Sequence, residues 1–145
     1  CGLNPFALPL LEWPELAAYH ALDIDLRLAS LNSRLLGRRG LPPLAGVLDA
    51  VAQTPAIPMD VAFLLKLLPV LEAQRKGRGM ELLAGLKARR LVVSFPGRSL
   101  GGRDKGMARH YAEYLEGGLP GALEVLAKAE IGNELVYVLA RRLTP

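Results

Sequence analysis

The run Asp60-Val61-Ala62-Phe63-Leu64-Leu65 is followed by Lys66-Leu67-Leu68-Pro69, and this passage decides the fold. Its unbroken apolar character, without polar alternation, predicts a buried parallel strand, the kind that helices cover. Downstream, the apolar spacing predicts helices over 68–76 and 78–88, a strand over 90–95, a glycine-rich loop over 96–106 and a helix over 107–116. Two strands follow, 123–128 and 134–141, joined only by 129–133. That connection is too short for a parallel crossover, so the pair is an antiparallel hairpin.

Upstream, Asn4-Pro5 opens a short helix through 12, and residues 16–24 read as a strand. Asp25 is the expected N-cap of a helix to about Gly37, with Leu28, Leu31 and Leu35 on its apolar face and Arg27, Arg34 and Arg38 beside them. Gly37 and Gly40 are expected to end it. After Pro42-Pro43 comes a short strand, 44–48, closing at Asp49. Strands alternating with helices predict an α/β domain with a mostly parallel, doubly wound sheet. With its terminal hairpin, this is the strand plan of class I, Rossmann-like methyltransferases, except that nothing in the sequence supplies the first, central strand.

At 145 residues the chain reads as one domain, and 51% hydrophobic with 22% charged residues is a globular composition, which excludes a disordered segment. The longest apolar stretch, 61–71, is broken by Lys66 and Pro69 and is too short to span a bilayer. One cysteine excludes an internal disulfide and fits a reducing, cytoplasmic setting. The net charge of +4 hides a segment from Arg75 to Arg109 with ten cations against Glu81 and Asp104. Such a segment is either a polyanion surface or an ordinary solvated face.

Several residues are candidates for chemistry. Gly2 can form a tight turn that lets a ligand approach the backbone. Asp23, at a strand's carboxyl end, can accept both hydroxyls of a ribose, or it is a strand-end turn residue. Asp49 can accept from an adenine amine, or it caps a turn. No polar-Pro-Pro-aromatic motif for exocyclic amines follows the central strand, and no cysteine besides Cys1 is present to attack a pyrimidine. A nucleophile that already carries a lone pair, such as guanine N7, fits what remains, and its methylation needs positioning rather than a base. Arg98, Arg103 and Lys105, on the glycine-rich loop, and Arg109 beyond it suit phosphate contacts. Tyr111 and Tyr114 can stack bases or pack in the core. His20 and His110 have no partners at metal-ligand spacing.

Taken together, Cys1-Gly2-Leu3-Asn4-Pro5, Asp23-Ile24, Lys66-Leu67-Leu68-Pro69, Val93-Ser94-Phe95-Pro96 through Arg98-Ser99-Leu100-Gly101-Gly102-Arg103, Lys105-Gly106-Met107, Glu116-Gly117-Gly118-Leu119-Pro120, Ile131-Gly132 and Glu134-Leu135 resemble the aminoglycoside-resistance 16S ribosomal RNA (guanine-N7) methyltransferases. The resemblance runs along the whole chain. It implies methyl transfer from S-adenosyl-L-methionine to N7 of a decoding-site guanine of 16S rRNA in the 30S subunit, by a monomer needing no metal and no membrane. It implies that Gly2, Asp23, Ile24 and Asp49 contact the cofactor, that Lys66 lies at its pocket, and that the basic loop faces RNA.

The resemblance also implies that residues 1–145 are the C-terminal part of a catalytic domain whose N-terminal RNA-binding region and first strand are missing. The strands over 16–24 and 60–65 then lose their shared neighbour. A gap or a direct pairing between them is expected, and with it an aggregation-prone chain. The competing reading is a non-catalytic RNA-binding fragment or an inactive truncation.

Overall fold

The computed structural model describes residues 2–97 and 106–142. The chain forms two compact units, Cys1–Gln53 and Thr54–Pro145. In the first, a 3-10 helix, Asn4–Leu10, precedes β1 (Ala21–Asp23), α1 (Leu26–Arg38) and β2 (Ala45–Val47). Strands β1 and β2 pair in parallel as a two-stranded sheet. The strand expected over 16–24 is thus only three residues long. A strand exists where a partner supplies hydrogen bonds, and β2 is itself three residues, preceded by Pro42 and Pro43, which have no N–H to donate.

Helix α1 starts where its cap predicts: the Asp25 carboxylate accepts from the Arg27 backbone N–H at 2.7 Å. Gly37 lies inside the helix rather than ending it. The termination belongs to Gly40, at φ +72°, with Gly40 N–H bonding Gly37 O and Leu41 N–H bonding Leu36 O in the paired pattern of a left-handed C-terminal cap. The buried stripe of α1 is Ala29, Asn32 and Leu36, one position on from the leucines expected to carry it.

The second unit contains β3 (Met59–Leu65), α2 (Leu67–Gln74), α3 (Arg78–Gly85), β4 (Ala88–Pro96), α4 (Met107–Gly118), β5 (Leu123–Ile131) and β6 (Glu134–Arg141). Its sheet has the order β3-β4-β6-β5, with β3 parallel to β4 and the β5–β6 hairpin antiparallel, as expected. Strand β5 reaches three residues further than predicted, leaving only Gly132 and Asn133 before β6, which has the predicted bounds. Helix α3 stops at Gly85 instead of 88 because Met59 N–H bonds Lys87 O and Ala88 already belongs to β4.

Residues paired directly across a ladder share a face, and this locates the core. Ala62, Leu64, Leu91, Val93, Phe95, Leu135, Tyr137 and Leu139 fall on one face, and all are buried. Leu68 and Leu71 of α2, Leu82 and Leu83 of α3, and Leu115 of α4 supply buried leucines from the helices. On the opposite face Val61, Phe63 and Leu65 remain more than a third exposed. The expectation of a fully buried β3 is therefore corrected: one face is buried. Strand β3 is also an edge of its sheet. Among the described residues no ladder joins the sheet of β1 and β2 to that of β3, β4, β6 and β5.

Candidate active site

In the first unit Asp23 closes β1 and its carboxylate organises the turn behind it. One oxygen accepts the Gly2 backbone N–H at 2.7 Å and the other the Asp25 N–H at 3.0 Å. Burial raises its pKa and the Asp25 and Gly2 backbone N–H groups lower it; the net direction is down, so the group is ionised at neutral pH. Gly2 sits at φ +57° with open space where a side chain would project. Its carbonyl accepts from Asn32 Nδ2 at 3.0 Å.

Asn32 is fully buried, and sequence reasoning missed it. The signal was there: a polar residue between Ala29 and Leu36 at helical spacing has a reason to be inside. Ile24, next to Asp23, is 69% exposed and presents an apolar side chain beside the carboxylate. Asp49 Oδ1 accepts from Val51 N–H at 2.8 Å, so the structure shows its turn role directly.

In the second unit three residues meet at the carboxyl ends of β3 and β4. Lys66 takes up a left-handed backbone, φ +54°, immediately after β3. Its N–H bonds both the carbonyl and the Oγ of Ser94, at 3.0 and 3.2 Å. Its Nζ lies 2.7 Å from Glu134 Oε1. The Lys66 ammonium, and next the Ser94 hydroxyl, hold the Glu134 carboxyl below the ordinary range against the opposing effect of partial burial. Ser94 is fully buried. Neither Ser94 nor Glu134 was picked out as a site residue from the sequence, although a serine inside Leu91-Val92-Val93-Ser94-Phe95 is the polar interruption to look for. Beside Glu134, a cavity of about 220 Å³ is lined by Gly97, Ala108, Glu130, Gly132 and Asn133 among others.

Of the residues expected to meet RNA, Arg98, Arg103 and Lys105 lie outside the described residues. Arg109 is exposed and pairs with Glu113 one turn along α4, at 2.8 Å. The basic segment is not one surface. Arg78 is buried and donates to Thr54 Oγ1, Arg75 pairs with Glu81, and Arg89 pairs with Asp60. Lys87, Arg89 and Arg90 stand at or beside the amino end of β4, a strand length of roughly 25 Å from its carboxyl end.

The tyrosines resolve toward packing: Tyr111 stacks on Phe95 at 4.9 Å, and Tyr114 meets the same ring edge-on at 6.2 Å. Among the described residues no three His, Cys, Asp or Glu side chains gather as metal ligands. Nor is any helix among them long and apolar enough to cross a membrane.

An acidic β1 terminus, a turn held open at Gly2 and a parallel sheet ending in a hairpin are what a nucleoside-binding methyltransferase requires, and comparison with known proteins decides among such families. The model of the ribosomal RNA methyltransferase (FmrO) family matches residues 1–138. The chain belongs to this family.

The chain is 39% identical over 141 residues to a 16S rRNA (guanine(1405)-N(7))-methyltransferase of Micromonospora echinospora, covering 97% of this chain and 52% of that protein. It is 39% identical to the enzyme of the same name from Serratia marcescens, covering 97% of this chain and 55% of the relative. The crystal structure of the 16S rRNA methyltransferase RmtF in complex with S-adenosyl-L-homocysteine superposes with a TM-score of 0.87 at 44% identity, over 98% of this chain and 54% of that one. The fold is therefore the class I S-adenosylmethionine-dependent methyltransferase fold. The chain spans about half the length of the curated relatives it matches.

Proposed function

We propose that this family member transfers a methyl group from S-adenosyl-L-methionine to N7 of a decoding-site guanine in 16S rRNA of the 30S subunit, and so confers aminoglycoside resistance. The observation that carries this reading is the Asp23 carboxylate, ionised at the end of β1 in a chain of this family. A carboxylate at the end of a strand is an acceptor for the hydroxyls of a ribose. Gly2 gives the backbone room to approach, Ile24 offers an apolar flank, and Asp49 keeps one oxygen for the adenine amine. In the second unit, Lys66 is read as bordering the methyl donor.

The cofactor supplies an electrophilic methyl group: the guanine N7 lone pair forms the new carbon–nitrogen bond, and the electrons of the carbon–sulfur bond pass to sulfur. No proton moves in that step, so the protein's residues position and exclude water rather than act as acid or base. We read Arg98, Arg103, Lys105 and Arg109 as phosphate contacts, the chain as the C-terminal part of a catalytic domain, and the protein as a monomer working in the cytoplasm without a metal. The competing reading is a purely RNA-binding module, which predicts RNA binding without methyl transfer.

Labelled-methyl transfer to 30S subunits tests the reading, with chain cleavage at N7-methylguanine locating the product. Incorporation at a single decoding-site guanine is expected. Salt-dependent RNA binding without incorporation overturns the enzyme reading in favour of the binding module.

A further inference from the structure

We propose that Glu134 serves methyl transfer by cancelling the charge of Lys66, and that Ser94 is the positioning residue that fixes the pair. The inference rests on the reading above and extends it to residues that no chemistry has yet been asked of. Lys66, Ser94 and Glu134 converge at the carboxyl edge of the sheet: Ser94 holds the Lys66 backbone, the Glu134 carboxylate holds the Lys66 ammonium at 2.7 Å, and the Ser94 hydroxyl helps to hold that carboxyl below its ordinary pKa. The register explains the convergence. Ser94 pairs with Leu65 on one side and Val136 on the other, and Glu134 is two residues from Val136 on the same face.

Stability does not account for this arrangement. The Lys66 and Glu134 side chains are 55% and 33% exposed, and ion pairs so wetted contribute little to folding. The left-handed backbone of Lys66 is a conformation that non-glycine residues avoid. What distinguishes the place is the reaction. As N7 is methylated the positive charge of the sulfonium passes to guanine, and RNA docked over this edge would displace the water that screens charge there. An unpaired ammonium on the guanine side of that transfer then opposes the transition state. With Glu134 beside it, the lysine stays in position and the edge carries no net positive charge from the pair.

The test uses Glu134→Gln, Lys66→Met and the double variant in single-turnover methyl transfer at saturating cofactor, with cofactor affinity from calorimetry and the Glu134 carboxyl followed by NMR titration. Glu134→Gln is expected to slow transfer at saturating cofactor roughly 10- to 100-fold, a loss separate from any weakening of affinity for the cationic cofactor. Adding Lys66→Met should bring the rate back to that of Lys66→Met alone, because the uncompensated charge is gone. In Lys66→Met the Glu134 carboxyl should titrate at higher pH, a readout that needs no activity.

A double variant as slow as Glu134→Gln overturns the inference, since Glu134 would then act by another route. So does a Glu134→Gln protein with the wild-type rate. If Glu134→Gln melts early, Glu134→Asp, which keeps the charge, must restore activity, and its failure to do so also counts against the inference. A wild-type protein that transfers no methyl group overturns the function proposed above instead, and the carboxyl titration still judges the ion pair on its own.

Discussion

The Tyr114 hydroxyl donates a 2.8 Å hydrogen bond to Glu72 Oε1, and this contact ties α4 to α2. The same carboxylate accepts the backbone N–H groups of Gly77 and Gly79, each at 2.8 Å, and so satisfies donors at the start of α3. One glutamate therefore joins three helices.

Tyr114→Phe removes one hydrogen bond to a charged group and leaves the carboxylate bonded to two backbone donors. The expected cost is about 1 kcal/mol, since the site is partly wetted. It should be read as a lower midpoint in urea with an unchanged slope.

The acid limb of stability should report Glu72. Burial raises its pKa, but the Gly77 N–H, the Tyr114 hydroxyl and the Gly79 N–H together hold it below the ordinary value. A group depressed in the folded state contributes stability that is full above its unfolded pKa, about 4.3, and is lost as pH falls through the folded value. Tyr114 is shifted the other way, first by burial and then by Glu72, so its contribution holds below about pH 10 and fades as pH rises toward its folded value. Urea melts across acid pH should show a shallower loss in Glu72→Gln than in wild type.

Gly97 cannot accept a side chain. A Cβ there would lie 2.8 Å from the Asn133 carbonyl oxygen, which bonds the Gly97 N–H at 2.6 Å, so backbone must shift. Gly97→Ala should cost roughly 1–3 kcal/mol, as overpacking does, and displace the turn that precedes Glu134. Denaturation and amide exchange at Glu134 and Leu135 would show both effects, and wild-type values at both would refute the contact.

Asp23→Asn removes the charge and replaces one of the two oxygens that accept backbone N–H groups by a donor. If Asp23 receives the ribose hydroxyls, cofactor affinity should fall by about 1.5–3 kcal/mol in calorimetry. With the wild-type carboxyl held below the ordinary range, affinity should not vary with pH on account of Asp23 near neutral pH. Unchanged affinity in the variant would remove Asp23 from the site.

Much of this was legible because it is local. The Asp25 cap, the helical stretch after it, the parallel character of β3 and β4 and the antiparallel hairpin at the end of the sheet all follow from chemistry within a few residues of sequence. The acidic terminus of β1 was legible for the same reason. Element ends were less so: Leu16 to His20 have strand composition, yet no partner offers them a ladder, and composition cannot report a partner's length.

By itself, then, the sequence determined the α/β class, the order of elements, the family resemblance and the candidate cofactor residues, because periodicity, caps and motif spacing are properties of neighbouring positions. Only the tertiary structure decided that one face of the four-stranded sheet is buried, that Arg75, Arg89 and Arg109 pair with carboxylates at separate places, and that Lys66, Ser94 and Glu134 converge at one edge. Residues 28 and 68 positions apart meet there because ladder register brings three strand ends to one edge, and register is set by pairing across the sheet rather than by any stretch of chain.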